Sequence, residues 1–460
     1  MKYKLSKYLV FSEPIINQKY RLVYSSVSTT LTLLKVGLSE KLLNNNFIDI
    51  DSNSLKELIY LKIIIKENFD ELSNIIRENK IAIRDESMLY QVISPSANCQ
   101  LGCDYCGQVH TKDLLDEELN VKIINRISTN LKLKKYNKLH IGWFGAEPLM
   151  GLNNIKKLSI ELMDLATRND CSYSAKMITN GLSLKKQIFY DLVENYKVSK
   201  FEITIDGTEE HHDLRRHTKL KEKTFKLIFN NLKNIVNDKL FNSANCSITV
   251  RCNVDSSNFE STYALIDLLE KENILNKISF YTAPIHSWGN DAHLKSLTQE
   301  EYAQFQIETY LKLLEKKHSV TILPGVKKHV VCTSLHKNAE VFDAYGDVYN
   351  CTEISQVSKY KKEDSFKVGK LYDEAYTNKS RPYSKWNDEI LNREIPCANC
   401  NILPICGGAC PKLWKENIPP CPPIKNNIED RLLLEFSKNQ DMYLPFEKNC
   451  LQTIGGSRKT

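Results

Sequence analysis

The sequence predicts an α/β protein centred on a parallel βα sheet, rolled or open, and three observations predict it. From Met88 onward strand-like runs alternate with helix-like runs, giving six strands with a helical pattern after each of the first five. A turn signal stands at each strand end. Every chemically suggestive stretch also falls at the carboxyl end of a candidate strand, where parallel βα architectures build their active sites.

The strand candidates are "MLYQVIS" from Met88, "KLHIGWFG" from Lys138, "SAKMITNG" from Ser174, "KFEITIDG" from Lys200, "SITVRCNV" from Ser247 and "KISFYTAP" from Lys277. The helical patterns between them include "NNIKKLSIELMDLA" and "TYALIDLLEKE". Ahead of this core, residues 1–87 read as a small α+β unit. Its β-rich runs "KYLVF" and "YRLVYSSVSTTLTLL" could pair across "SEPIINQK", and helical patterns follow at Ser54–Glu67 and Asp70–Asn79, an order compatible with a winged-helix-like module. After Pro284 the alternation stops. A helix is expected in "TQEEYAQFQIETYLKLLEKK", then a loop-rich segment with many cysteines and prolines from Leu323 to Pro423, and a polar, mobile end, "IGGSRKT". The division expected is 1–87, 88–310, 311–425 and 426–460.

Length and composition narrow the function. At 460 residues the chain can bury a substantial core without cross-links. The net charge of +7, from 63 basic against 56 acidic side chains, is spread along the chain and gives no reason to expect a nucleic-acid partner. The longest aliphatic run, "LIYLKIIIKE" from Leu58, is broken by Lys62 and is too short to span a membrane, so a cytoplasmic protein with no membrane partner is expected. Fourteen cysteines in such a chain point to metal or catalysis rather than disulfides. They fall in two groups: Cys99, Cys103 and Cys106, then Cys332, Cys351, Cys397, Cys400, Cys406, Cys410 and Cys421. Cys171, Cys246, Cys252 and Cys450 stand outside and read as small apolar fillers or incidental thiols.

The first group, "CQLGCDYC", has C-x3-C-x2-C spacing on one loop. Three thiolates there can bind three irons of a [4Fe–4S] cube and leave the fourth open. Alternatively, His110 completes C-x3-C-x2-C-x3-H and a closed zinc site. The triplet, with aromatic Tyr105 before its third cysteine, resembles the radical S-adenosylmethionine (radical SAM) superfamily, and neighbouring stretches match in order. "GAEP" at Gly145–Pro148 is similar to that family's G-G-E-P, with Ala146 in place of the second glycine; "TNG" at Thr179–Gly181 and "ITIDGTEEHHDLRR" from Ile203 resemble later strand ends. The resemblance covers roughly 88–285. It implies a partial (β/α)6 TIM-like barrel, with SAM chelated at the open iron and contacted by Gly145, Ala146, Glu147, Thr179, Asn180, Thr204, Asp206 and Arg216. It further implies reductive cleavage of SAM to a 5′-deoxyadenosyl radical, with an electron donor such as flavodoxin or ferredoxin. Thr204 and Asp206 could equally cap a turn, and Arg216 could be a solvated charge.

The second group follows C-x13-G-x4-C through Gly346, then C-x2-C-x5-C-x3-C, then one more cysteine. The order resembles the seven-cysteine SPASM domain attached to radical SAM enzymes that modify peptides and proteins; a zinc ribbon would use four of these thiols and leave three unexplained. The resemblance implies an auxiliary [4Fe–4S] cluster on Cys397, Cys400, Cys406 and Cys421, and another on Cys332, Cys351 and Cys410. The second lacks a fourth cysteine, leaving an open iron or a closing group such as His329. With the cluster on the first triplet this makes three [4Fe–4S] clusters plus SAM. The activity implied is modification of a ribosomally made precursor peptide by a cross-link or related change, its leader held on the 1–87 unit. The alternatives are an anaerobic sulfatase maturase forming formylglycine, and a non-catalytic iron–sulfur or zinc protein.

Overall fold

The computed structural model describes residues 2–48, 50–85, 87–243, 245–360, 367–372 and 381–439, and the backbone of 451–454. Cys450 and the polar end 455–460 lie outside the described residues. The first unit holds strands β1 (Tyr3–Leu5), β2 (Leu9–Ile15), β3 (Tyr20–Ser25) and β4 (Thr30–Lys35), helices α1 (Val36–Leu43) and α2 (Ser52–Tyr60), strand β5 (Ile64–Lys66) and helix α3 (Glu71–Arg84). Here the structure departs from the pattern in two places. "YRLVYSSVSTTLTLL" is a hairpin of two strands, because Ser26–Thr29 turns with Thr29 at φ +55°. The helix expected from Ser54 to Glu67 stops at Tyr60: Lys62 takes φ +59°, and the buried Ile64 and Ile65 lie in β5, paired antiparallel with β1.

The βα core then runs β6 (Met88–Ile93), α4 (Glu117–Leu133), β7 (Lys138–Trp143), α5 (Leu152–Arg168), β8 (Ser172–Thr179), α6 (Lys186–Glu194), β9 (Val198–Thr204), α7 (Glu209–Arg215), α8 (Phe225–Val236), β10 (Ser247–Val254), α9 (Phe259–Lys271) and β11 (Ser279–Pro284). All six strands are parallel and adjacent in chain order. Alternation along them separates two faces. Leu139, Ile141 and Trp143 of β7, Ala175 and Met177 of β8, and Phe201 and Ile203 of β9 pack with Ile123, Leu162 and Leu232 of the covering helices in one buried core. Each such Leu, Ile, Met or Phe side chain contributes roughly 1.5–3 kcal/mol by leaving water. The opposite, inner face carries Tyr90, His140, Lys176, Glu202 and Arg251, none of them fully buried. The inner face is therefore more polar than the face towards the helices, as in a barrel that stays partly open.

The rest comprises α10 (Gln299–Glu315), closed at its start by a Thr298–Glu301 capping box, β12 (Glu340–Phe342), β13 (Asp347–Tyr349), β14 (Lys367–Lys370), α11 (Trp386–Leu391), α12 (Leu403–Cys406), α13 (Pro411–Lys415), α14 (Ile424–Lys438) and β15 (Leu451–Ile454). Strands of three or four residues are below the reach of periodicity, so the sequence reads this stretch as loop. In the structure β12 pairs in parallel with β6, and β13 and β14 extend the sheet to nine strands. The leading unit packs on this region: Val10, Leu22 and Tyr24 meet Ile424, Ile428 and Leu432 of α14, while Ile75 and Ile76 of α3 meet Trp386 and Ile390 of α11. Among the described residues no helix is long and apolar enough to cross a membrane.

Candidate functional site

The loop after β6 carries the first cysteines and is tied down by backbone bonds to the end of α7. The Gly102 amide donates to the His217 carbonyl at 2.9 Å and the Asp104 amide to the Arg215 carbonyl at 3.0 Å. Cys99 is buried, and Cys103 and Cys106 are half-buried. Burial pushes the Cys99 thiol up to about 12 and the Cys103 thiol up to about 11. These are soft donors that give up their protons to a metal rather than to water.

Glu147 ties the end of β8 to the segment after β7. Its fully buried carboxylate accepts from the Thr179 hydroxyl at 2.7 Å, the Asn180 amide at 2.7 Å and the Leu149 amide at 3.0 Å. Asn180 Nδ2 in turn lies 3.7 Å from Cys99 Sγ. Burial raises the Glu147 carboxyl against these donors. Gly145 is required beside it: at φ +126°, a Cβ would come within 1.9 Å of Ser94 Oγ.

A second network fixes Tyr105. Its hydroxyl donates to Asp206 Oδ2 at 2.5 Å and accepts from Arg216 Nη1 at 2.6 Å and Asn253 Nδ2 at 3.0 Å. The other Asp206 oxygen takes the Asn253 amide at 2.8 Å. Arg215 backs the same network: its guanidinium lies 5.4 Å over the Tyr105 ring, with Nε 4.0 Å from Asp206 Oδ2, and it pairs with Asp255 at 2.8 Å.

A cavity of about 230 Å³ opens among these residues. Cys99, Cys103 and Cys106 line it, as do Gly145, Ala146, Glu147, Thr179, Asn180, Thr204 and Arg216. Asp206 does not: it is fully buried behind Tyr105 and acts on the cavity through that phenol. The wall also includes Arg251, Asn253, His286, Trp288 and Glu353, which sequence reading missed. The first four stand on or after β10 and β11, so the strand-end rule could have found them. Glu353 had no such signal beyond its place two residues after Cys351. His110 is on the wall too, its Nε2 3.9 Å from Cys106 Sγ, and burial pushes it down to about 4. The residues fit a cluster with bound SAM: three thiols and several polar groups converge, and the buried Nε of Arg216 has no hydrogen-bond partner among the described residues.

The later cysteines also come together. Cys397, Cys400, Cys406 and Cys421 line one cavity of about 40 Å³, with Lys425 Nζ 3.5 Å from Cys421 Sγ. Burial and then the other three sulfurs push Cys397 up to about 12. Cys351 is raised by burial and also feels Cys332 and Cys410. Gly346 makes the tight β12–β13 turn at φ +80°. His329 turns its Nδ1 to Asn79 Oδ1 of α3 at 3.1 Å. Of the outlying thiols, Cys171 and Cys252 are buried in the barrel core and Cys246 packs against it.

Comparison with known proteins agrees with this geometry. The family model described as the Radical SAM superfamily matches residues 93–266. The cysteine-type anaerobic sulfatase-maturating enzyme of Clostridium novyi (strain NT) is 24% identical over 78% of this chain and 95% of its own length. The serine-type enzyme of Bacteroides thetaiotaomicron is 23% identical over 70% of this chain and 83% of its own. The solved structure of native anSMEcpe with bound AdoMet shares the fold at TM-score 0.55 and 16% identity, over 77% of this chain and 98% of that one. The cysteine loop, the strand ends sewn to it by Glu147 and the matched superfamily model converge on one conclusion: residues 93–266 form a radical SAM core.

Proposed function

We propose that this chain is a radical SAM peptide maturase that takes hydrogen from a ribosomally made precursor peptide and installs a thioether, carbon–carbon or cyclophane link, or a related modification. In this reading Cys99, Cys103 and Cys106 hold the cluster that binds SAM. Glu147, Thr179, Asn180 and Arg216 face SAM's polar groups, while Asp206 positions Tyr105. What the cluster and SAM supply when bound is hydrogen-atom abstraction by a 5′-deoxyadenosyl radical. The chain's part is to orient both partners and keep water out.

The observation that carries the peptide reading is the junction of the two cysteine regions. Thr352 and Glu353, directly after Cys351, form part of the cavity wall, so an auxiliary cluster held by Cys332, Cys351 and Cys410 would stand beside the reacting volume. A second auxiliary cluster would occupy Cys397, Cys400, Cys406 and Cys421. The division into 1–87, 88–310, 311–425 and 426–460 belongs to the same proposal, with the 1–87 unit holding a leader strand at a sheet edge. Its β4 edge pairs with β15, which leaves β2 as that sheet's other edge among the described residues. Support for a peptide substrate also comes from a relative of the same fold, native anSMEcpe, solved with AdoMet and Cp18Cys peptide.

A second reading, formylglycine formation, is favoured by the names of both curated relatives. One experiment separates the two. Reduced, iron-loaded protein is incubated with SAM and either a Cys-x-Pro-x-Arg peptide or the short peptides encoded beside its gene. The maturase reading expects loss of two hydrogens in an encoded peptide and an unchanged Cys-x-Pro-x-Arg peptide. Formylglycine in the latter would replace it with the sulfatase reading.

A further inference from the structure

The inner face of the barrel is cationic just below the SAM cavity. Lys138 of β7, Lys176 of β8 and Lys200 of β9 all stand on the face opposite the apolar core, in the strand alternation that also puts His140, Glu202 and Arg251 there. They crowd one another: burial, then Lys176, Lys138 and Lys200, push His140 down to about 4. Lys176 Nζ lies 5.0 Å over the Tyr90 ring, which is itself stacked on His140. The one acid on this face of the six strands, Glu202, is turned to Arg251 at 3.8 Å. Among the described residues, no carboxylate lies within ion-pair distance of Lys138, Lys176 or Lys200.

This cationic strip leads into the site. Ile178, Glu202 and Arg251 line the SAM cavity, and Lys176 and Lys200 are each two residues earlier on the same strands, about 6.6 Å below. From the other side the cavity is walled by Trp288, Glu353 and Val357. We infer that the open inner face is a substrate track, and that it takes a peptide segment rich in Asp and Glu next to the residue being modified. This rests on the peptide-maturase reading and adds the charge class of its substrate. Three lysines without ion-pair partners, Lys138 and Lys176 half-buried and Lys200 exposed, stand on one face of neighbouring strands, and an acidic strand laid along that face offsets their charge. A nucleic acid would use the same charge, but a duplex is too broad for the inside of a six-stranded half-barrel.

The test reads binding rather than turnover. A library of randomised twelve-residue peptides is passed over the immobilised full chain, and retained peptides are sequenced by mass spectrometry in low and high salt. Enrichment of Asp and Glu at low salt is expected, with about tenfold weaker retention of the same peptides by the Lys176→Gln/Lys200→Gln variant. The Lys176→Arg/Lys200→Arg variant should keep the enrichment, which separates charge from misfolding. SAM cleavage without peptide should be the same in all three. Retention with no acidic preference, acidic preference unchanged in the glutamine variant, or preferential retention of a randomised single-stranded oligonucleotide would overturn the inference. Failure of SAM cleavage in the wild type would count instead against the enzyme reading.

Discussion

The two cysteine triplets solve one problem in different ways. Cys99, Cys103 and Cys106 stand on a single short loop, and the polar groups around them come from strand ends that a regular sheet brings together. Cys332, Cys351 and Cys410 are gathered from points nearly eighty residues apart by loops, short helices and a charge hub. In that hub Lys412 is buried over the Trp288 and Tyr360 rings at 4.6 and 4.7 Å and is 3.0 Å from Glu416. The difference teaches where each function resides: the first triplet is positioned by secondary structure, the second by tertiary packing that includes the leading unit.

The sharpest way to break this comparison is to remove one thiol from each region. Cys103→Ala should lower reductive SAM cleavage at least about a hundredfold, whereas Cys400→Ala should leave it within about twofold and abolish only product formation. Iron analysis on the same proteins should give about twelve irons per chain for the wild type and about eight for each variant. A wild-type count near four would remove the auxiliary clusters.

Next in size is Tyr105→Phe. It strips the hydroxyl shared by Asp206, Arg216 and Asn253, leaves buried polar groups unpaired, and should cost roughly 1–3 kcal/mol of stability in denaturant melts. SAM affinity should fall with it, since Arg216 loses its brace. Lys412→Gln probes the other region. It removes the cation between two rings and Glu416, and should cost about 1–2 kcal/mol and shift Trp288 fluorescence.

How much of this was legible in sequence follows from the same contrast. Six strands and their helices could be read because apolar alternation and turn residues repeat over 88–284. The cysteine loop, "GAEP" and "TNG" could be read because their spacing is local. Tyr105 stood out only as an aromatic, since its three partners lie 101 to 148 residues away. Likewise Asp206 has the right place in the chain but supports the cavity from behind. The strands β12–β14 escaped because three or four residues carry no period, and Glu353 because nothing local marks it.

A separate, pH-dependent effect concerns the turn that holds the second region to the sheet. Asp343 accepts from the Tyr345 and Asp347 amides at 2.9 Å each, and burial, then Asp347, push its carboxyl up to about 7. Its folded value is raised above the ordinary 3.8, so its contribution to stability is full below that value and is lost as pH rises through about 7. Thermal melts should therefore show a decline from pH 5 to pH 8 that Asp343→Asn flattens.

The most direct test of the central claim is the SAM reaction itself. Anaerobically reconstituted protein, reduced with dithionite and given SAM, should release 5′-deoxyadenosine and methionine, and the Cys103→Ala protein should release neither above background. No 5′-deoxyadenosine from fully iron-loaded, reduced wild-type protein would contradict the account.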